Sequence, residues 1–311
     1  MTSRADPEVS AIVVNWNGVA FLPRCLASLA AALRDIPSEV VFVDNASTDG
    51  SVMCARREYP SARVIELARN VGFAAGCNIG LKEARGRYML LLNTDTEVPR
   101  DTLTTMLERM REDAAIGILG CAHYDASGSE QVSYHMTFGG PIECEPKAGV
   151  GAGGSVKEVA WVSGACMLAR RELYDEIGGL DERFPLYCED VDWCYRTREA
   201  GWKTCWTGDA TIVHDVGGSS GSLPQTARRR LQVLSQAMLY DKHASRWQWW
   251  RWLAGELASA CWGVLACAAR FPLRPRRRRL EQLRLKANEC AAFLGAAQWA
   301  LYRRARARAQ R

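Results

Sequence analysis

None of the twelve cysteines forms a C-x-x-C pair, which excludes a zinc ribbon built on paired thiolates. The opening residues, Met1-Thr-Ser-Arg-Ala-Asp-Pro-Glu8, contain no apolar stretch, so no secretory signal is expected. No internal repeat is evident, which excludes a repeat architecture. No phosphate loop rich in Gly, Arg and Lys stands near the N-terminus. The turn there is Asn15-Trp-Asn-Gly18, which argues against a nucleotidyltransferase. The apolar run 253–269 is short for a membrane span and carries Glu256. Many cysteines sit in apolar runs, among them Cys166 and Cys205, where a thiol packs as a small core residue. A reducing cytosolic location suits so many thiols.

What is present begins with charge. The 311 residues carry a net +5, unevenly spread. From Arg246 to the end there are 15 Lys/Arg against 3 Asp/Glu, a net +12, which leaves −7 on the rest. Within the acidic body, Glu189, Asp190 and Asp192 fall inside four residues of the stretch Phe184-Pro-Leu-Tyr-Cys-Glu-Asp-Val-Asp-Trp-Cys-Tyr-Arg196. Like charges this close repel unless a cation or a proton-transfer task requires them; the plain alternative is a solvated helix N-terminus. A second acidic element, Leu91-Leu-Asn-Thr-Asp-Thr-Glu97, follows an apolar run about a hundred residues earlier. Together the two predict one site with a metal half and a base half.

The first hundred residues alternate. Strands are predicted at 9–15, 39–45, 63–67 and 87–92, with helices at 20–33, 52–59 and 76–84 between them. This order implies an α/β fold with a parallel sheet and helices on both faces. Ligands of such sheets bind beyond the carboxyl ends of the strands, where 15–18, 44–49, 70–73 and 93–97 all fall. Further on, helices are expected at 103–110, 171–177 and 192–200. Strands are expected at 116–119, 159–169, 202–206 and 210–214, and a variable loop at 125–158.

Seven motifs in order now carry a resemblance: Val13-Val-Asn-Trp-Asn-Gly18, Val43-Asp-Asn-Ala-Ser-Thr-Asp-Gly50, Arg69-Asn-Val-Gly-Phe-Ala74, Leu91-Leu-Asn-Thr-Asp-Thr96, Val162-Ser-Gly-Ala165, Cys188-Glu-Asp-Val-Asp192 and Ile212-Val-His214. Over roughly 9–245 the chain resembles a family 2 inverting glycosyltransferase of the GT-A fold, in the rhamnosyltransferase-like branch. The resemblance implies a Rossmann-like, mostly parallel sheet in a catalytic domain at 1–245; the residues beyond it, 246–311, read as a basic, Trp-rich helical tail. It implies a nucleoside-diphosphate sugar as donor, with dTDP-rhamnose the first choice, and a cell-envelope or polysaccharide acceptor that can be lipid-linked.

The same resemblance implies roles. Asn93-Thr-Asp95 occupies the family's D-x-D position, with Asn93 in place of the first Asp. Asp95 would hold Mg²⁺ or Mn²⁺, with His214 as a second ligand unless it only hydrogen-bonds at its strand end. Asp190 would act as general base with Glu189 beside it; Glu189 and Asp192 would contact acceptor hydroxyls or hold the loop. Asn15, Asn17, Asp44, Ser47, Arg69, Asn70, Gly72 and Asn93 would line the nucleotide-sugar cleft, Asp44 being otherwise a turn residue. Trp193 would meet the acceptor or else belong to the core. The rival from another class is an inactive nucleotide-sugar-binding scaffold, for which Asn93 speaks.

The tail opens on Arg246-Trp-Gln-Trp-Trp-Arg-Trp252 and continues past Arg276-Arg-Arg-Arg279. Tryptophans flanked by arginines beside an apolar face predict a helix lying in the cytoplasmic membrane surface. A second helix is expected over about 280–305, with Leu283, Ala287, Phe293, Leu294 and Leu301 on its apolar positions. Packing on the catalytic domain or dimerisation would use the same faces. No motif supports nucleic-acid binding by the arginine run.

Overall fold

The computed structural model describes residues 6–138, 142, 156–215, 224–269, 287–288 and 290–300. Most of the expected 125–158 loop, and the tail calls at Leu283, Leu301 and Arg276–Arg279, lie outside those residues.

The N-terminal half alternates as its sequence periods require. β1 (Val9–Asn15), β2 (Ser38–Asp44), β3 (Arg63–Glu66) and β4 (Tyr88–Asn93) are separated by α1 (Leu22–Ala32), α2 (Ser51–Glu58) and α3 (Phe73–Glu83). β4 is buried along nearly its whole length, as a central strand must be. Pro23 sits in the first turn of α1, where its missing N–H costs nothing. There follow β5 (Thr96–Glu97), α4 (Thr102–Glu112), β6 (Ile116–Tyr124), β7 (Glu130–Gln131), β8 (Tyr134–His135), β9 (Val156–Glu158), β10 (Trp161–Val162), β11 (Cys166–Arg170), α5 (Arg171–Ile177), α6 (Glu189–Glu199) and β12 (Lys203–His214).

The ten-stranded sheet runs β3-β2-β1-β4-β11-β6-β12-β5, with β7 on β6 and β9 on β12. β3, β2, β1 and β4 run parallel to one another, and β6 is parallel to β12; β11 runs antiparallel between β4 and β6. Alternate residues of β1 serve opposite faces. Ala11 and Val13 join Leu22, Leu26 and Leu29 of α1 and Met106 of α4 in one core. On the other face α3 lies so close that a Cβ on Gly80 would stand 2.4 Å from Ile12 Cγ2. Glycine there permits the helix to touch the sheet.

Three departures from the sequence expectation bear on the site. The stretch 159–169 is two strands broken by a turn at 163–165. The two strands expected over 202–214 are one, carried through a register shift between Thr207 and Thr211. α6 starts at Glu189, so Glu189, Asp190 and Asp192 all stand in its first turn.

The described residues fall into two compact units, 6–138, 156–183 and 189–215 in one, and 142, 184–188, 224–269, 287–288 and 290–300 in the other. The second unit contains α7 (Gln225–His243) and α8 (Arg246–Ala269) and is helical again at 290–300. α7 belongs to the same unit as α8. Trp249 is fully buried and its Nε1 donates to the Ala237 carbonyl at 2.9 Å. Trp252 packs edge-on to Tyr240 and to Phe293. Ser235 Oγ donates to the Leu186 carbonyl at 2.7 Å. Among the described residues no helix is long and apolar enough to cross a membrane.

Candidate active site

Parallel pairing sets Asn15 beside Asp44 at the carboxyl ends of β1 and β2. Asn15 Nδ2 donates to Asp44 Oδ1 at 3.0 Å and to Ser47 Oγ at 2.9 Å. Asp44 Oδ2 accepts the Ser47 N–H, and Ser47 Oγ accepts the N–H of Asn17. Asn17, at φ 52°, sits in the left-handed region that Asn enters more readily than most residues, and its Oδ1 accepts the Thr48 N–H. The loops after β1 and β2 are thus tied into one rim. Asp44 is buried and satisfies a turn N–H, while each of its oxygens keeps a second lone pair.

Next along the rim, Asn70 Oδ1 accepts the N–H of Gly72, which has φ 91° and caps α3. Asn45 fastens this loop from below: its Oδ1 accepts the Val71 N–H and its Nδ2 donates to the Gly72 carbonyl. Arg69 and Asn70 are exposed. Three polar atoms at the centre of the rim, Asn15 Oδ1, Asn93 Oδ1 and Thr94 Oγ1, are buried with no hydrogen-bond partner. Buried polar atoms are ordinarily paired. Gly18 leaves the space beside two of them open, since a Cβ there would stand 2.5 Å from Asn15 Oδ1 and 3.1 Å from Thr94 Oγ1. Unpaired groups around a gap held open by glycine describe a surface shaped for a polar ligand.

The corner expected to take a metal lies where β5 pairs antiparallel with the end of β12, His214 opposite Thr96. The Asp215 N–H donates to the Asp95 carbonyl at 2.9 Å, closing the same corner. Asp95 Oδ1 and His214 Nε2 stand 3.5 Å apart, a little more than the edge of an octahedron with metal–oxygen bonds of about 2.1 Å. One carboxylate oxygen and one imidazole nitrogen at that spacing fit neighbouring positions around one divalent ion. Among the described residues no group of three His, Cys, Asp or Glu side chains could hold a metal, so substrate oxygens and water would complete the shell. The His123 ring meets His214 edge-to-face at 5.6 Å. Burial, with His214 beside it, pushes the His123 pKa down to about 3, so His123 is neutral.

The acid half opens α6. Glu189 is buried and its Oε2 has no partner; Asp190 is partly exposed. Burial first, then the neighbouring Asp190 charge, raises the Glu189 pKa to about 8. Burial also raises Asp190, opposed by N–H donors from Gly164 to Oδ2 at 3.0 Å and from Val191 to Oδ1 at 2.8 Å. The turn at 163–165 joins the two halves: Gly164 holds Asp190, and the Ala165 carbonyl accepts the Asn93 N–H at 3.0 Å.

Asp192 and Trp193 are placed elsewhere. Asp192 is fully buried and pairs with Arg196 at 2.8 Å, and Arg196 also donates to the carbonyls of Ile177 and Gly179. Trp193 is fully buried, with Nε1 on the Gly178 carbonyl. Neither presents a surface to an acceptor. Both fasten α6 to the 177–179 turn, in keeping with the structural role left open for each beside an acceptor contact. Conversely, Gly18, Asn45, Thr94 and Gly164 shape the site without having been singled out. Each lies inside a recognised motif, which was the available signal, but glycine and threonine side chains advertise no chemistry.

A mixed α/β sheet with polar and acidic groups gathered at its strand ends is consistent with the GT-A fold. The chain belongs to glycosyl transferase family 2, whose model matches residues 10–178, more than half of the 311, and its relatives put it in the rhamnosyltransferase-like branch. N-acetylglucosaminyl-diphospho-decaprenol L-rhamnosyltransferase of Mycobacterium tuberculosis is 27% identical over 313 residues, which cover 89% of this chain and 97% of that protein. The O-antigen biosynthesis protein RfbC of Myxococcus xanthus is 26% identical across 79% of this chain and 20% of its own length. Among solved structures, a mannosyltransferase from Pyrobaculum calidifontis in complex with GDP-Man and Mn²⁺ superposes with a TM-score of 0.59 at 20% identity, covering 94% of this chain and 87% of that one. TarS of S. aureus in complex with UDP gives 0.54 at 16% identity, covering 96% and 92%. At those identities the structural likeness speaks for the fold alone.

Proposed function

We propose that this glycosyltransferase moves rhamnose from dTDP-rhamnose, with inversion, onto a lipid-linked saccharide acceptor at the cytoplasmic face of the membrane. The observation that carries the reading is the 163–165 turn, which binds Asp190 through Gly164 and the Asn93-Thr-Asp95 turn through Ala165. A proton acceptor and a diphosphate-binding corner are thereby held by consecutive residues. The relative named for rhamnosyl transfer to a decaprenol-linked N-acetylglucosamine, matched along nearly its whole length, supports the donor and acceptor classes.

Asp190 takes the proton from the acceptor hydroxyl as its oxygen bonds to the anomeric carbon, opposite the departing nucleoside diphosphate. Partial exposure makes Asp190, rather than buried Glu189, the group an acceptor can reach. Neutral Glu189 lets Asp190 ionise first. Asn15, Thr94 and Asn93 offer their unpaired atoms to the hydroxyls and phosphates of the donor. Asp95 and His214 would hold Mg²⁺ or Mn²⁺, which neutralises charge on the leaving diphosphate.

Thermal melts with dTDP, UDP and GDP, each with and without Mn²⁺, test the donor site. A metal-dependent rise largest for dTDP is expected; a larger rise for UDP or GDP would overturn the donor assignment. Transfer from dTDP-rhamnose to a short-chain lipid diphosphate N-acetylglucosamine completes the test. Nucleotide binding without any transfer would favour the inactive scaffold for which Asn93 speaks.

A further inference from the structure

Packing divides the tryptophans of α8. Trp249 and Trp252 turn inward, while Trp247 and Trp262 are each 73% exposed and Leu265 62%. With Arg251, Ala254 and Ala258, also exposed, they form a series at 247, 251, 254, 258, 262 and 265. Steps of three and four put all six on one side of the helix. The stripe is about 27 Å long at 1.5 Å per residue. It ends in tryptophan at one side and tryptophan with leucine at the other, and its one charge is positive. Solvated helix faces carry charge of both signs; this one does not.

We propose that this stripe is a membrane-docking face, on which α8 lies flat in the interface of an anionic bilayer with Trp247, Trp262 and Leu265 among the acyl chains. The inference deepens the lipid-linked acceptor reading above and rests on it only for its purpose. Tryptophan at both ends of a helix too polar to span suits the headgroup boundary, where the ring is apolar and the N–H is wet. The net +12 from Arg246 onward supplies the attraction to anionic headgroups. The same charge argues against a second copy, since an isologous contact along α8 would bring two strongly basic segments together. Glu256 is not on the stripe.

The test is flotation of the full chain with phosphatidylcholine vesicles, with and without phosphatidylglycerol. Wild type should float with the anionic vesicles only. The Trp247→Ser/Trp262→Ser/Leu265→Ser variant should lose about tenfold or more of that binding at an unchanged Tm, because the three side chains are already in solvent. Ala258→Asp, which removes no contact and adds one negative charge mid-stripe, should weaken it too. Flotation of both variants at the wild-type level would overturn the proposal. So would failure of wild type to bind anionic vesicles, or a concentration-dependent dimer abolished by the same substitutions. The Mn²⁺-dependent melting shift with nucleotide is read on every sample; it should persist in both variants, so loss of docking and loss of the donor site are told apart.

Discussion

The Gly164 N–H donates to Asp190 Oδ2 at 3.0 Å, so a residue without a side chain sets the direction of the carboxylate proposed as base. Asp190→Asn keeps an oxygen for that bond and removes the proton-accepting charge. Transfer should fall by about 10²–10⁴-fold with donor binding intact and Tm little changed, because a charge that burial disfavours is gone while the Val191 N–H loses its acceptor. Single-turnover rates beside nucleotide-induced melting shifts separate these effects. Full turnover in Asp190→Asn would remove Asp190 from the chemistry.

Glu189 gives a pH signature. The folded protein keeps its proton to about 8, against 4.5 for a free glutamate. Between those values the folded state binds more protons than the unfolded one, so stability declines as pH rises through that window. Asp190, also raised, adds to the decline from its own lower starting point. Glu189→Gln abolishes the larger part, and melts taken across the window should be flatter for the variant. Since Glu189 is neutral where Asp190 ionises, the acid limb of the transfer rate should stay in place in Glu189→Gln. A limb displaced to lower pH would mean that Glu189 is charged beside Asp190.

Legibility followed the source of each constraint. β1, β2 and β4 are short apolar runs closed by Asn- and Asp-rich turns, so composition alone located them and the strand ends that carry the polar rim. The stretch 159–169 read as one strand because Ala160 to Ala169 is almost uniformly apolar; the break at Gly164 comes from the contact with Asp190, formed by residues far off in sequence. The strands expected at 202–206 and 210–214 leave 207–209 between them, yet pairing with β6 carries one strand through as a bulge and brings His214 to Asp95. The Asp192–Arg196 spacing of four already signalled a pair on one helix face. In the tail, the apolar set expected for the second helix splits: Phe293 is buried against Trp252, whereas Leu294 is 54% exposed. Which tryptophans of α8 face outward is likewise decided by packing.

The Asp192–Arg196 pair should behave as structure. Asp192 is fully buried and Arg196 is 21% exposed, so removing the carboxylate strands a cation that holds the 177–179 turn by two carbonyls. Asp192→Ala should cost about 3 kcal/mol, the low end of the range for breaking a buried pair because Arg196 keeps some water. Chemical denaturation measures this. In the folded fraction the KM for acceptor should be unchanged. A variant that melts like wild type while that KM rises would return Asp192 to the acceptor site.

Asp95 and His214 should act as one unit toward a divalent ion, since their donor atoms stand 3.5 Å apart. Asp95→Ala removes the charge and His214→Ala the neutral ligand, so the aspartate should matter more. Neither substitution should abolish nucleotide binding altogether, because the Asn15–Asp44–Ser47 network does not involve the metal corner. Titration calorimetry with Mn²⁺ at saturating dTDP should show binding in wild type, weaker binding in His214→Ala and the weakest in Asp95→Ala. The double variant should be no worse than Asp95→Ala alone, the non-additivity expected of two ligands to one ion. Equal, additive losses would mean that the two side chains serve different sites and that His214 only packs against Asp95.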